Sequence, residues 1–388
     1  MNVLIAYDGF EVEYCDNKYY HNFLNDIIRR YSIFGDLYIT LILKKVSTPS
    51  CDEVNLDAVK VVPLKKINTL KGLLCHMKNN KKTIRDAVSQ CDFIIGHVPS
   101  DVACDAISIA KKQGKPTFAM VIGCPWDALW NYNWKGKLLA PLEYLRCRRT
   151  VAKSDFAQYV TSVFLQTRYP SKKEQLGCSD VCIYSRDVDA AKNIQNRWFN
   201  SQKNNDRNIV TCATIGAAYK GQAYVIRAIA KLNKMGYSYH YHLYGGGSPE
   251  RLKALSISEG VEQYVHIYGE VPHDKIVESI KSMDIYAQPS LQEGLPRSVI
   301  EAMSVGLPII ASDNVGGMNE LTLPQMRFRK KCVADIAKIL QYNNDEWIKA
   351  SVHSIVLSEK YEYNYLQTIR DKFYHSVLEM IKNNKDYN

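Results

Sequence analysis

The sequence predicts an α/β protein built from two doubly wound parallel-sheet domains. Three observations predict it. The chain has 388 residues, more than a single core of roughly 250–300 residues holds. Short apolar runs rich in Val, Ile and Tyr recur along it, each followed by a helix-length amphipathic segment, the alternation that yields parallel sheets covered by helices. Residues 283–321, MDIYAQPSLQEGLPRSVIEAMSVGLPIIASDNVGGMNEL, read as one whole β–α–β unit, whose crossover is right-handed by default and joins parallel strands.

That unit organises the rest. Residues 285–288 read as a buried strand stopped by Pro289 and Ser290, and a polar loop runs through Glu293 and Gly294. Pro296 suits a first helical turn, where its missing N–H is no loss. Residues 298–305 read as helix, Gly306 as its cap, and 307–311 as the second strand. Glu293 thus lies at the carboxyl end of a strand and Glu301 on the helix behind it. Ligands of parallel sheets bind at the carboxyl ends of strands, beside helix N-termini. A carboxylate there grips hydroxyls, and the N–H groups of Gly294 and Leu295 suit an anion or a sugar oxygen.

Composition excludes several classes. Hydrophobic residues at 46% and charged residues at 23% describe a folded chain, not a disordered one. No apolar run reaches the roughly 18 residues that suggest a membrane span. Residues 1–10 enter a strand pattern without a basic lead or cleavage site, so no signal peptide is expected. The eleven cysteines are scattered. Cys178 and Cys182 lack a second Cys/His pair at metal-ligand spacing, so reduced thiols in the cytoplasm are expected, with no metal and no cofactor. Net charge is +10, and residues 1–200 hold 28 Lys and Arg against 20 Asp and Glu. The first half is therefore the basic one, suited to phosphates or an anionic membrane surface. No nucleic-acid module pattern is present.

In chain order, Pro289-Ser290, Glu293-Gly294, Glu301-Ala302-Met303, Gly306-x-Pro308, Gly316-Gly317 and Glu320 together resemble the retaining, nucleotide-sugar-dependent glycosyltransferases of family 4, of the bacterial surface-polysaccharide type. Their architecture is GT-B: two Rossmann-like domains facing across a cleft. The resemblance is dense in the second half and scattered in the first.

It implies roles for other positions. Residues 3–7 read as the first strand, 8–17 as a polar loop, 19–31 as helix, 37–43 and 59–62 as strands. In the family the loop after the first strand is glycine-rich, whereas here only Gly9 remains. Residues 64–88 carry Lys65, Lys66, Lys71, Lys78, Lys81, Lys82 and Arg85 among Leu70, Leu73, Leu74 and Met77, either a helix touching an anionic bilayer or an ordinary basic surface helix. Residues 92–97 form a strand ending in His97, where family members place a histidine near the acceptor. Asp127 lies among Trp126, Trp130, Tyr132 and Trp134, a set that suits a sugar acceptor or a packed loop. Residues 142–153 read as helix, and Ser162 as the N-cap of a short helix ending at Tyr169. Asp187-Val188-Asp189 reads as a surface pair.

Residues 200–208 are polar and aperiodic, the expected linker between domains 1–199 and 209–364, with 365–388 a helix returning to the first domain. The family's arginine after Gly216 is Ala217 here, while its lysine is present as Lys220. Gly245 and Gly246 leave room for a close ligand. The loop of Glu270 and Val271 meets the nucleotide base in the family. By the resemblance, the chain transfers a sugar from a nucleotide diphosphate to a glycan or polyprenyl-diphosphate-linked acceptor, in the cytoplasm or on the inner face of the membrane. Glu301 then holds the ribose, Glu293 the sugar, and Lys220 the departing diphosphate. Two alternatives stand: an epimerase or phosphorylase on the same architecture, and a weakly active donor-binding partner, motivated by Ala217.

Overall fold

The computed structural model describes residues 1–57, 59–66, 70–200 and 206–383, with backbone alone for 70–77. The first sheet contains β1 (Asn2–Ala6), β2 (Glu11–Cys15), β3 (Lys18–Tyr20), β4 (Asp36–Lys45), β5 (Glu53–Val54), β6 (Val59–Leu64), β7 (Phe93–Val98), β8 (Thr117–Val121), β9 (Phe156–Tyr159) and β10 (Glu174–Gly177). Its order is β10-β9-β8-β7-β1-β4-β2-β3-β5, with β6 also on β4. Only the β2–β3 and β3–β5 pairings are antiparallel. Both faces are covered, which explains the unbroken apolar runs: β1 sends Val3 and Ile5 into one core and Leu4 and Ala6 into another. Alternation along a strand serves two cores when helices lie on both sides.

The second sheet contains β11 (Asp206–Cys212), β12 (Ser238–Tyr244), β13 (Val265–Gly269), β14 (Ile285–Gln288), β15 (Ile309–Ser312) and β16 (Arg327–Phe328). All its pairings are parallel, in the order β13-β12-β11-β14-β15-β16. The order reverses at β11, between β12 and β14. The terminal helix, Tyr363–Asn383, does not belong to this core. It places Tyr374, Val377 and Ile381 among the residues packed on the first sheet, and the Tyr374 hydroxyl donates to Gln158 Oε1 at 2.9 Å.

Several local expectations are corrected. The 8–17 loop is not a loop throughout. Glu11–Cys15 pairs with β4 and turns back into β3, so the helix expected over 19–31 begins only at Leu24. Asp16 and Asn17 make that turn with positive φ, a conformation these residue types tolerate. The 200–208 segment is shorter than expected: Asn200 ends the Val188–Asn200 helix and β11 starts at Asp206. Asp187 is not an idle surface residue, since its Oδ1 accepts from Ala190 N–H at 2.8 Å and so caps that helix. Pro296 is the N-cap of the Arg297–Ser304 helix, one place earlier than expected. The basic helix runs Leu70–Gln90. The side chains of Leu70, Lys71, Leu73, Leu74 and Met77 lie outside the described residues. Lys66 pairs with Glu11, and Lys81 lies 3.9 Å from Asp105.

Candidate active site

The reversal of strand order at β11 opens a crevice at the carboxyl ends of β11 and β14, the place where open α/β sheets hold ligands. The loop after β11 carries Lys220 and the loop after β14 carries Glu293. Lys220 Nζ donates to Glu293 Oε1 at 2.7 Å, with 17% and 10% of the two side chains exposed. Gln288 Nε2 reaches the same oxygen at 2.9 Å. The loops are locked together by backbone as well. Leu291 N–H donates to Tyr219 O at 2.7 Å. Gly221 has φ +74°, and a Cβ on it would lie 2.0 Å from Pro289 O. Only glycine permits both that torsion and that approach.

Other loops at the same end of the sheet complete the crevice. Ile215 N–H donates to Gly246 O at 2.8 Å, and Gly245 N–H to Gly269 O at 2.7 Å, which sets Gly216, Gly245 and Gly246 side by side. A Cβ on Gly246 would stand 3.5 Å from Glu270 Oε2. Val271 packs against the second core. Glu301 Oε1 lies 2.9 Å from His273 Nε2, and its side chain is 13% exposed. Neither glutamate points into bulk solvent. Ala217 provides only the N-cap of the short turn Ala218–Lys220, so Lys220 is the cation this loop supplies.

The first sheet closes the opposite side. A Cβ on Gly294 would come 2.9 Å from Ile122 O, so the Glu293 loop sits against the segment leaving β8. Asn131 Nδ2 donates to Leu291 O at 3.2 Å. Leu295 packs against both main cores.

His97 and Asp127 occupy this wall but are engaged elsewhere. His97 is 3% exposed, held by the Tyr31 hydroxyl at 3.1 Å and ringed by Tyr7 and Phe10. Burial pushes its pKa down to about 4, so the ring is neutral near pH 7. The unfolded chain takes up this proton near pH 6.5. Stability is therefore present above that pH and lost as pH falls from about 6.5 toward 4. We expect wild type to lose about 2 kcal/mol between pH 7 and 5 that His97→Gln does not lose, measured by urea unfolding. Asp127 is also buried, and Arg168 Nη1 lies 3.0 Å from its Oδ2. The aromatic stretch around it is not a loop: Asp127 belongs to the Pro125–Trp130 helix, Trp126 stacks on Trp130 at 5.1 Å, and the next helix starts at Trp134 rather than 142.

Glu320 has a part that its place in the motif did not reveal. Its carboxylate accepts from the N–H groups of Ser162, Val163 and Phe164 at 2.6, 3.0 and 2.8 Å. It thus caps the Phe164–Arg168 helix of the opposite half, replacing Ser162, whose side chain does not cap. Such charge-assisted bonds to helix N–H groups are among the stronger ones. Glu320→Ala is expected to cost roughly 1–3 kcal/mol, seen in calorimetry as separation of one unfolding transition into two.

Gln288 and Tyr31 were also missed by sequence reasoning. Gln288 had a signal, a polar residue ending an apolar strand. Tyr31 had none, since its partner His97 is 66 residues away.

Comparison with known proteins agrees with this fold. The family described as glycosyl transferases group 1 matches residues 194–325. The chain is 29% identical to protein CapJ of Staphylococcus aureus over 351 residues, 88% of this chain and 85% of that protein. It is 33% identical to the amylovoran biosynthesis glycosyltransferase AmsK of Erwinia amylovora over 104 residues, 25% of this chain and 26% of that one. Among solved structures, Anabaena HepE in complex with UDP is similar with a TM-score of 0.64 at 13% identity, covering 98% of this chain and 100% of that chain. Two mainly parallel sheets meeting across a crevice, with a similar fold over nearly the whole length, are the GT-B architecture, and residues 194–325 are similar to the glycosyl transferases group 1 family.

Proposed function

We propose that this glycosyltransferase moves a sugar, with retention of anomeric configuration, from a nucleotide diphosphate-sugar to a hydroxyl of a glycan or polyprenyl-diphosphate-linked acceptor. The setting is the cytoplasmic side of a bacterial membrane, in synthesis of a capsule, O-antigen or exopolysaccharide. The Lys220–Glu293 contact at the crevice carries the reading. It joins a cation for the leaving diphosphate to a carboxylate for the sugar hydroxyls, from two loops at the strand-order reversal. The name of AmsK, an amylovoran biosynthesis enzyme, supports the polysaccharide setting.

The roles follow from position. An ammonium has three N–H donors, so Lys220 can keep Glu293 while turning others toward the diphosphate. Charge that develops on the leaving phosphate is then met by a group already in place, the largest single contribution in many enzymes. The backbone of Gly216, Gly294 and Leu295 approaches the donor closely. Glu301, fixed by His273, holds the ribose, and the Glu270–Val271 loop meets the base. The first half, with His97 and Asp127 in its wall, takes the acceptor. No metal or cofactor is needed in this scheme.

Thermal-shift titration with UDP-, GDP- and ADP-sugars tests the donor assignment, UDP first because HepE was solved with UDP. A true donor raises apparent stability by about 2.7 kcal/mol at a hundredfold excess over its dissociation constant, and Glu301→Ala weakens that gain. Failure of all three to stabilise the protein, or an unchanged gain in Glu301→Ala, would overturn it.

A further inference from the structure

The chain crosses between its two halves twice, and the crossings meet. Ile183 N–H donates to Tyr361 O at 2.9 Å, and Tyr363 N–H to Ile183 O at 2.8 Å. The segment leaving the first half thus pairs with the segment that returns to it. Beside this crossing lies a cavity of about 350 Å³, the size of a small-molecule pocket. Its walls come from the Leu24–Tyr31 helix, from residues 180–184, from the terminal helix and from Arg297. Arg297 opens the helix that carries Glu301. Lys220, Glu293, Glu301, His97 and Asp127 are not among the described residues that line it, so it is separate from the crevice site.

Its charges do not balance. Arg29, Arg30, Arg297 and Arg370 line it, against the carboxylates of Asp26 and Asp180. Both carboxylates are taken: Arg29 holds Asp26 at 2.6 Å and Arg30 holds Asp180 at 2.5 Å. Arg297 and Arg370 have no ion pair among the described residues. The Arg297 guanidinium lies only over the Phe23 ring, at 5.6 Å. Arg370 is 5% exposed. It donates to Ser179 O and Gln367 Oε1, both at 2.8 Å, while its Nε has no partner among the described residues. A buried charge is costly unless it is paired, so an orphaned N–H on a guanidinium at a cavity wall calls for an anion from outside. The arginines converge on one spot. Burial raises the pKa of the Cys182 thiol, and the Arg297, Arg370 and Arg30 charges each pull it back down.

The excess of two positive charges matches one dianion. A phosphate ester carries about −1.5 to −2 charge at pH 7, and guanidinium groups suit phosphate oxygens in paired hydrogen bonds. The cavity wall also offers a ring: Tyr184, 83% exposed, stacks on Tyr363 at 5.6 Å. We propose that this cavity binds a small phosphate ester, the phosphate held by Arg297 and Arg370 and the organic part lying on Tyr184. Such a ligand joins the helix of Glu301 to the terminal helix packed on the first sheet, and so ties the two halves together behind the crevice. The site stands independently of the donor chemistry above.

The test is isothermal titration calorimetry of the full chain with inorganic phosphate, glucose 6-phosphate and glucose. Phosphate and the ester are expected to bind one site per chain, the ester more tightly, and glucose not at all. Arg297→Gln, a change at an exposed side chain, is expected to bind both at least about tenfold more weakly, with its circular dichroism unchanged. Tyr184→Ala is expected to lose the extra affinity for the ester and to keep that for phosphate. Lys220→Ala is expected to bind both as wild type does. No binding by wild type, equal binding by Arg297→Gln, or loss of binding in Lys220→Ala would overturn the proposal, the last by placing the anion in the crevice. Equal affinity for phosphate and the ester would overturn the ester as the ligand.

Discussion

Lys220→Ala is expected to fold normally and to lose about 100- to 1,000-fold in kcat, with a much smaller change in the donor KM. The geometry sets this asymmetry. Lys220 sits 2.7 Å from Glu293 at the meeting of two loops, so its charge is already placed where negative charge would grow as the diphosphate leaves. In the proposed site donor binding is spread over the Gly216, Gly245 and Glu270 loops and Glu301, so it should survive the loss of one ammonium. Ala217 sharpens the effect, because no arginine stands beside Lys220 to share the task. Lys220→Arg is expected to recover part of the rate, since it retains the charge on a bulkier group. A kcat within a few-fold of wild type in Lys220→Ala would remove Lys220 from the diphosphate. Turnover of wild type no higher than that of Glu293→Ala would leave the chain a donor-binding partner.

The second large effect is expected at Gly221. Gly221→Ala forces an L side chain into φ +74° and puts its Cβ 2.0 Å from Pro289 O, a backbone atom that cannot swing aside. Strain of the left-handed torsion and local overpacking together predict a loss of roughly 2–5 kcal/mol. Gly260→Ala separates the two causes, for Gly260 has φ +72° with nothing within 4 Å of its added Cβ. It should cost about 1–2 kcal/mol by torsion alone. Chemical denaturation measures both. Gly221→Ala should also lower kcat by more than its stability explains, since it pries the Lys220 loop from the Glu293 loop. Equal destabilisation by the two variants would show that the contact with Pro289 is absorbed elsewhere.

Much of the second half was legible in the sequence because its information is local. Strand 285–288 carries its own stop in Pro289-Ser290. The first half was less legible at its start. In 8–17 the alternation Glu11-Val12-Glu13-Tyr14 was a strand signal, but it is only four residues long and its partner β4 lies about thirty residues on. The helix at 134 was read eight residues late. Its exposed Trp, Leu and Pro141 do not show the ordinary inward apolar face, so periodicity misplaced it.

Local spacing was enough to show that strands alternate with helices, that Glu293 lies in the loop at a strand's carboxyl end, and that Glu301 lies on the helix behind it. These depend on spacing within about twenty residues, which the backbone geometry of strand, turn and helix translates directly. Packing over long range is what brings Lys220 to Glu293, sets Glu320 as the cap of a helix in the opposite half, holds His97 neutral beneath Tyr31, and turns the large side chains of the Trp134–Lys153 helix outward. Each of these depends on which faces are covered when two sheets and their helices close together. Burial and charge pairing across 66 to 158 residues of sequence are fixed by that closure, not by any local pattern.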